Sequence, residues 1–287
     1  MMENGLALRA IREESLMRTA AKIIALVLGI ATMISSDRVA AQTYGDFGGK
    51  GAMRAVLNNQ PKSYKYISDP TGSAFSKKVH RFRIGPGCNT QTTGDEGYND
   101  CMQQSVRSQI TEQVERNGKF TVQPKQRWYG WDMYIPADFP LAPALGSGGY
   151  YTFVEWHNGQ CPHISLRNSA EYGTQLYLET ARVIGQWDCA PEKRIPIIDL
   201  KQLANGWHRF EAFADWQRGP AGKFVLYVDG QEVLNYQGDT LTEGQEAKNY
   251  FMFGVYLCCT TDAQKVRPGE LYFANVWRGK TREDLPQ

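Results

Sequence analysis

The chain has 287 residues, with 32 Lys and Arg against 30 Asp and Glu, 12% aromatic residues and six cysteines. The near balance of charge argues against a general nucleic-acid or membrane-surface binder. No CxxC pair with matching His spacing occurs, which argues against a zinc domain. At the N-terminus, Arg18 and Lys22 flank an apolar run, Ile23 to Ile34, and Val39-Ala40-Ala41 gives a small-residue cleavage pattern before Gln42. This predicts a signal peptide over residues 1–41, with Met17 as an alternative start, and a secreted or periplasmic mature protein. A single membrane anchor is the competing reading, but the run is short for a bilayer and Gly29 interrupts it. No other long apolar stretch exists, so no membrane contact is expected after cleavage, and the mature protein is expected to be a monomer.

Residues 42–77 are rich in Gly, Asn, Ser and Tyr and read as an irregular N-terminal segment. Residues 78–287 then read as one all-β domain, a two-sheet β-sandwich. Short alternating runs are separated by Gly, Pro, Asn and Asp turns, as such sandwiches require. The run Lys77-Lys78-Val79-His80-Arg81-Phe82-Arg83 reads as a solvated edge strand. The loop Gly94 to Asp100 carries oxygen ligands suited to a structural Ca²⁺, although no metal or other cofactor is required. Residues 102–115 fit either an amphipathic helix or a strand; the alternation Val106, Ser108, Ile110, Glu112, Val114 favours a strand. Trp128 to Ile135 and Tyr150 to His157 are aromatic strands, ended by Pro136 and by Asn158-Gly159. The clearest passage is Trp207 to Tyr236. There Phe210, Ala212, Ala214 and Trp216 share one face of a strand, Arg218 to Gly222 turns the chain, and Asp229-Gly230 makes a tight hairpin.

All six cysteines follow the leader, which implies disulfides. Sequence order suggests Cys88–Cys101 and Cys161–Cys189, among about fifteen full pairings. For the adjacent Cys258 and Cys259, the expectation is one free thiol or bonds to different partners.

Trp207 to Tyr236 resembles the concanavalin-A-like (laminin-G-like) jelly rolls, and within them the polysaccharide lyases related to heparin lyase I. Arg107-Ser108-Gln109 resembles their Arg-Ser/Thr-Glu strand. Trp131 to Pro136 resembles their W-x-x-x-x-P strand, ahead of Asp138-Phe139-Pro140. Glu155-Trp156-His157 resembles a Gln-x-His strand, with Glu155 in place of Gln. Tyr250 to Tyr256 resembles a Tyr-x-Lys-x-Gly-x-Tyr strand, with Met252 in place of Lys. The resemblance covers most of residues 78–280. It implies β-elimination on an acidic polysaccharide or oligosaccharide built from uronic acids. Such chemistry needs a cation on the sugar carboxylate, a base at C5 and an acid at the leaving oxygen.

The residues offer candidates for each role. Arg107 would clamp the carboxylate bidentately. His157 would take the C5 proton, and Tyr256 would protonate the leaving oxygen. Gln109, Glu155, Tyr250, Trp131 and Arg83 complete the expected substrate contacts, and Gly254 would let the sugar approach the strand. Each has a plainer reading. His157 would be a hydrogen-bonded structural residue and Tyr256 a packing residue. Arg107 would pair with Glu112 or Glu115, and Glu155 with Arg167 or Arg182. Trp156 faces away from His157, which counts against a sugar-stacking role. His80 belongs to the edge strand, His163 to a loop, and His208 to the framework. Two other functions compete with the lyase: a lectin-like binding sandwich, and a glycoside hydrolase. The hydrolase would need a carboxylate pair about 5–10 Å apart, and no E-x-D-x-x-E strand supplies one.

Overall fold

The computed structural model describes residues 53–58, 63–88, 100–112, 115–116, 119–120, 124–142, 149–157, 159–185, 188–242, 249–260 and 265–285. The strands in chain order are β1 (Met53–Asn58), β2 (Tyr64–Ser68), β3 (Lys78–Ile84), β4 (Val106–Glu112), β5 (Glu115–Arg116), β6 (Lys119–Phe120), β7 (Gln126–Tyr134) and β8 (Tyr150–His157). They continue with β9 (Pro162–Ser169), β10 (Gln175–Val183), β11 (Cys189–Asp199), β12 (Trp207–Asp215), β13 (Lys223–Val228), β14 (Gln231–Gln237), β15 (Tyr250–Cys258) and β16 (Gly269–Gly279). One sheet has the order β1-β4-β15-β8-β9-β10-β11 and the other β14-β13-β12-β7-β16-β3-β2, and neighbouring strands in both run antiparallel. The expected all-β sandwich is present.

Alternation in the sequence explains the layering. On β12, Phe210, Ala212 and Ala214 are fully buried, and Trp216 just beyond joins the same core. Trp131 of β7 stacks on Phe210 at 5.4 Å with only 8° between the rings, and Trp156 of β8 packs against Phe224 and Phe251 from the opposite sheet and its own. Burying an aromatic side chain of this size removes about 150–250 Å² from water, so this cluster binds the two sheets. Asp229 and Gly230 both hold positive φ, at 50° and 80°, which suits the two-residue turn between β13 and β14.

Several expectations are corrected. Residues 53–58 and 64–68, expected to be irregular, form β1 and β2, the outermost strands of the two sheets. Strand β3 is therefore not an edge: β2 covers it. His80 on β3 is buried, its Nδ1 3.0 Å from the Tyr64 hydroxyl. His163 is not in a loop but on β9, buried, and its Nδ1 accepts from the Thr242 backbone N–H at 2.8 Å. The disulfides Cys88–Cys101 and Cys161–Cys189 form as sequence order suggests. Cys258 and Cys259 bond to each other, so neither is free nor tied elsewhere. Among the described residues, no helix is long and apolar enough to cross a membrane.

Candidate active site

Strands β4, β15 and β8 lie side by side in the first sheet, which joins three motifs distant in sequence. On β4, Val106 and Ile110 enter the core, so Arg107 and Gln109 point to the outer face. On β8, Trp156 and Val154 enter the core, leaving Glu155 and His157 outward. On β15, Phe251, Phe253 and Val255 turn inward, and Tyr250, Met252 and Tyr256 outward. The outer face is recessed: Gln109 is 0% exposed and Glu155 5%.

Register fixes the neighbours. Tyr250 sits opposite His157, Met252 opposite Glu155, and Tyr256 opposite Thr152 on one side and Arg107 on the other. Arg107 lies over the Tyr256 ring, 4.4 Å from its centroid. Its Nε and Nη2 bond Asp100, the latter at 2.6 Å, so Asp100 rather than Glu112 or Glu115 holds it. Burial alone would lower the pKa of Arg107, but Tyr256, Asp100 and Glu155 together raise it, and the guanidinium stays charged. Burial pushes the Tyr256 phenol up to about 12 against the pull of Arg107. Its hydroxyl donates to Gln103 Oε1 and lies 3.2 Å from Ser105 Oγ.

Glu155 accepts a hydrogen bond from Gln109 Nε2 at 3.1 Å, across the intervening strand β15. Gly254 makes that reach possible. It sits opposite Gln109 with φ +132°, beside a bulge in the β15–β8 register, and a Cβ there would lie 2.4 Å from the Ser108 carbonyl oxygen. Arg167, one of the two partners the plainer reading gave Glu155, pairs instead with Glu179, and Arg194 with Glu179 and Glu171. The half-buried His157 stacks on Tyr250 with centroids 5.5 Å apart, and its Nδ1 accepts from Gly159 N–H at 2.8 Å. Desolvation, then Arg107 and Arg167, lower its pKa against the opposing pull of Glu155.

Two expected substrate residues lie elsewhere. Trp131 is fully buried between the sheets and has no face to offer a sugar. Arg83 is on β3 of the other sheet, 3.3 Å from Glu270. Arg167 and Tyr150, by contrast, face the cleft without having been singled out as site residues; Arg167 lies 4.3 Å from the Tyr150 ring centroid. Nothing in the sequence around Arg167 distinguishes it from any surface arginine. Of the loop expected to suit Ca²⁺, only Asp100 is among the described residues, and it serves Arg107.

The profile of the polysaccharide lyase family matches residues 43–276. The chain belongs to the polysaccharide lyase family. This lyase is thus a carbon–oxygen lyase acting on polysaccharides. The match includes residues 43–77, so the family domain extends ahead of Lys78. Among solved structures, the lyase is similar to the endo-β-1,4-glucuronan lyase of the fungus Trichoderma reesei, at 16% identity and TM-score 0.56, covering 81% of this chain and 93% of that one. An alginate lyase of polysaccharide lyase family 7 is similar at 14% identity and TM-score 0.47, covering 79% and 89%. The alginate lyase of Klebsiella pneumoniae gives 11% and 0.48, covering 78% and 87%. No curated protein matches the sequence. The kinship with heparin lyase I in particular stays an expectation from the motifs.

Proposed function

We propose that this polysaccharide lyase cleaves a uronic-acid polymer by β-elimination on the outer face of β4, β15 and β8. The observation that carries the reading is the Arg107 guanidinium, fixed by Asp100 and stacked on the Tyr256 ring. It places a permanent cation beside a protonated phenol. The cation answers the main difficulty of the reaction: a C5 proton next to an anionic carboxylate leaves only if that carboxylate's charge is offset. Arg107 holds the carboxylate, and the Tyr256 phenol, neutral near pH 7, gives its proton to the leaving oxygen. Gln109, fully buried beneath this face, holds Glu155 through its amide N–H. Tyr250 stacks against His157 and walls that end of the cleft. The base belongs to β8, which presents Glu155 and His157.

The structurally similar lyase of Trichoderma reesei acts on glucuronan by its name, which makes that polymer the first substrate to try. The test is incubation with glucuronan, alginate and glycosaminoglycans while ultraviolet absorbance of the unsaturated product is followed. Product from at least one polymer is expected. Silence on all of them, with oligosaccharide still bound, would replace the elimination reading with a binding role. The protein is further taken to be exported after cleavage behind Ala41, a reading supported by its three disulfides, which suit an oxidising compartment.

A further inference from the structure

We propose that Glu155, and not His157, removes the C5 proton. This rests on the elimination reading above and assigns its base. Both residues face the cleft from β8, so position does not separate them; hydrogen bonding does.

A neutral imidazole has one bare nitrogen and one N–H. Gly159 N–H donates to His157 Nδ1 at 2.8 Å, so the bare nitrogen is Nδ1 and the proton sits on Nε2. The Tyr250 hydroxyl, 3.3 Å away, crowds the same nitrogen. Burial lowers the pKa of this ring, and Arg107 and Arg167 add to that against the pull of Glu155. The ring therefore meets a sugar with a donor and has no lone pair to take a proton from carbon.

Glu155 is the opposite case. It accepts from the Gln109 amide, as a carboxylate does. Its neighbours Arg107 and Arg167 are bound to Asp100 and Glu179, and among the described residues Glu155 makes no salt bridge. It can therefore take a proton without first breaking an ion pair. A carboxylate can accept a carbon-bound proton and an amide cannot, so Glu155→Gln removes that capacity with little change of shape.

The step balances without a cofactor. Glu155 takes the C5 proton, and the C5–H electron pair forms the C4=C5 double bond. The C4–O4 bond breaks, and O4 takes the Tyr256 hydroxyl proton as the departing sugar becomes a reducing end. Solvent then removes the proton from Glu155 and returns one to Tyr256.

Three variants decide the point on a polymer that the wild type cleaves. General-base removal is worth about 100- to 10,000-fold, so Glu155→Gln should lose at least about 100-fold in kcat. Glu155→Asp, which restores a carboxylate, should recover at least about tenfold over Glu155→Gln, and His157→Gln, which keeps an N–H donor, should lose at least about tenfold less than Glu155→Gln. Melting temperature and oligosaccharide affinity of Glu155→Gln, both near wild type, exclude misfolding. A Glu155→Gln variant nearly as active as wild type overturns the assignment. So does an Asp variant no better than Gln, or a silent His157→Gln beside an active Glu155→Gln. A wild type that forms no unsaturated product from any polymer removes the elimination reading itself.

Discussion

Replacing Gly254 with alanine tests how far the cleft floor depends on the close approach of β15 and β4. Gly254 holds φ +132°, where L side chains rarely sit, and its Cβ would fall 2.4 Å from the Ser108 oxygen and 2.9 Å from the Gln109 Cα. Both contacts are backbone, so no rotamer change relieves them. A sparsely populated backbone conformation costs about 1–3 kcal/mol, and overpacking adds about 1–3 kcal/mol. A combined loss of roughly 4 kcal/mol corresponds to about 8–16 °C in Tm for a chain of this size. That leaves part of a typical stability of about 5–15 kcal/mol, so the variant should fold at 25 °C. There β4 must shift, and Gln109 moves off Glu155. Calorimetry and initial elimination rates at 25 °C read both effects: a lower Tm, and a rate lost in the folded state. A Tm within about 2 °C of wild type, with an unchanged rate, would refute the argument.

Three other outcomes follow from the same geometry. Tyr256→Phe removes only the hydroxyl and should lower kcat by about 100-fold or more, with Tm almost unchanged; near-normal turnover would clear the phenol of its acid role. Trp131→Ala should cost about 3–5 kcal/mol of stability and leave KM at wild-type value where the protein is folded, because the ring meets only core; a KM rise at constant stability would restore it to the substrate. His80 and His163 are buried neutral, with burial lowering each to about 3. The unfolded chain binds their protons below about pH 6.5, so stability present above that pH is lost as pH falls toward 3, at up to about 1.4 kcal/mol per unit for each. Denaturant melts at pH 7 and pH 5 should show the decline, and equal midpoints would contradict it.

The sandwich was legible because period-two alternation is written plainly in β12, where Phe210, Ala212 and Ala214 are core and Arg209 and Glu211 are not. The cleft face was legible for the same reason: Glu155 and His157, two apart, had to share a side. What alternation does not reveal is which side faces the other sheet. Alternation alone therefore leaves Trp131 among the expected substrate contacts, although its ring belongs to the core. β1 and β2 were missed because their Gly- and Asn-rich surroundings look irregular; their partners β4 and β3 supply the order. Arg167 was weighed only as a mate for Glu155, since its real partner, Glu179, becomes visible only through the β9–β10 register. The left-handed φ of 60° at Cys259 accompanies a bond between sequence neighbours that residue counting did not foresee.

The pairing of β1 with β4 and β2 with β3 gives the least strand-like part of the chain a guarding task. A protein begun at Lys78 would keep every strand whose pattern is obvious, yet would bare two ladders of unpaired amides and carbonyls, an invitation to other molecules. One of those ladders is β4, the strand beneath Arg107 and Gln109. Trimming the unassuming leader strands would therefore loosen the reaction chamber from its rim inward, well before the aromatic interior between the sheets felt the change.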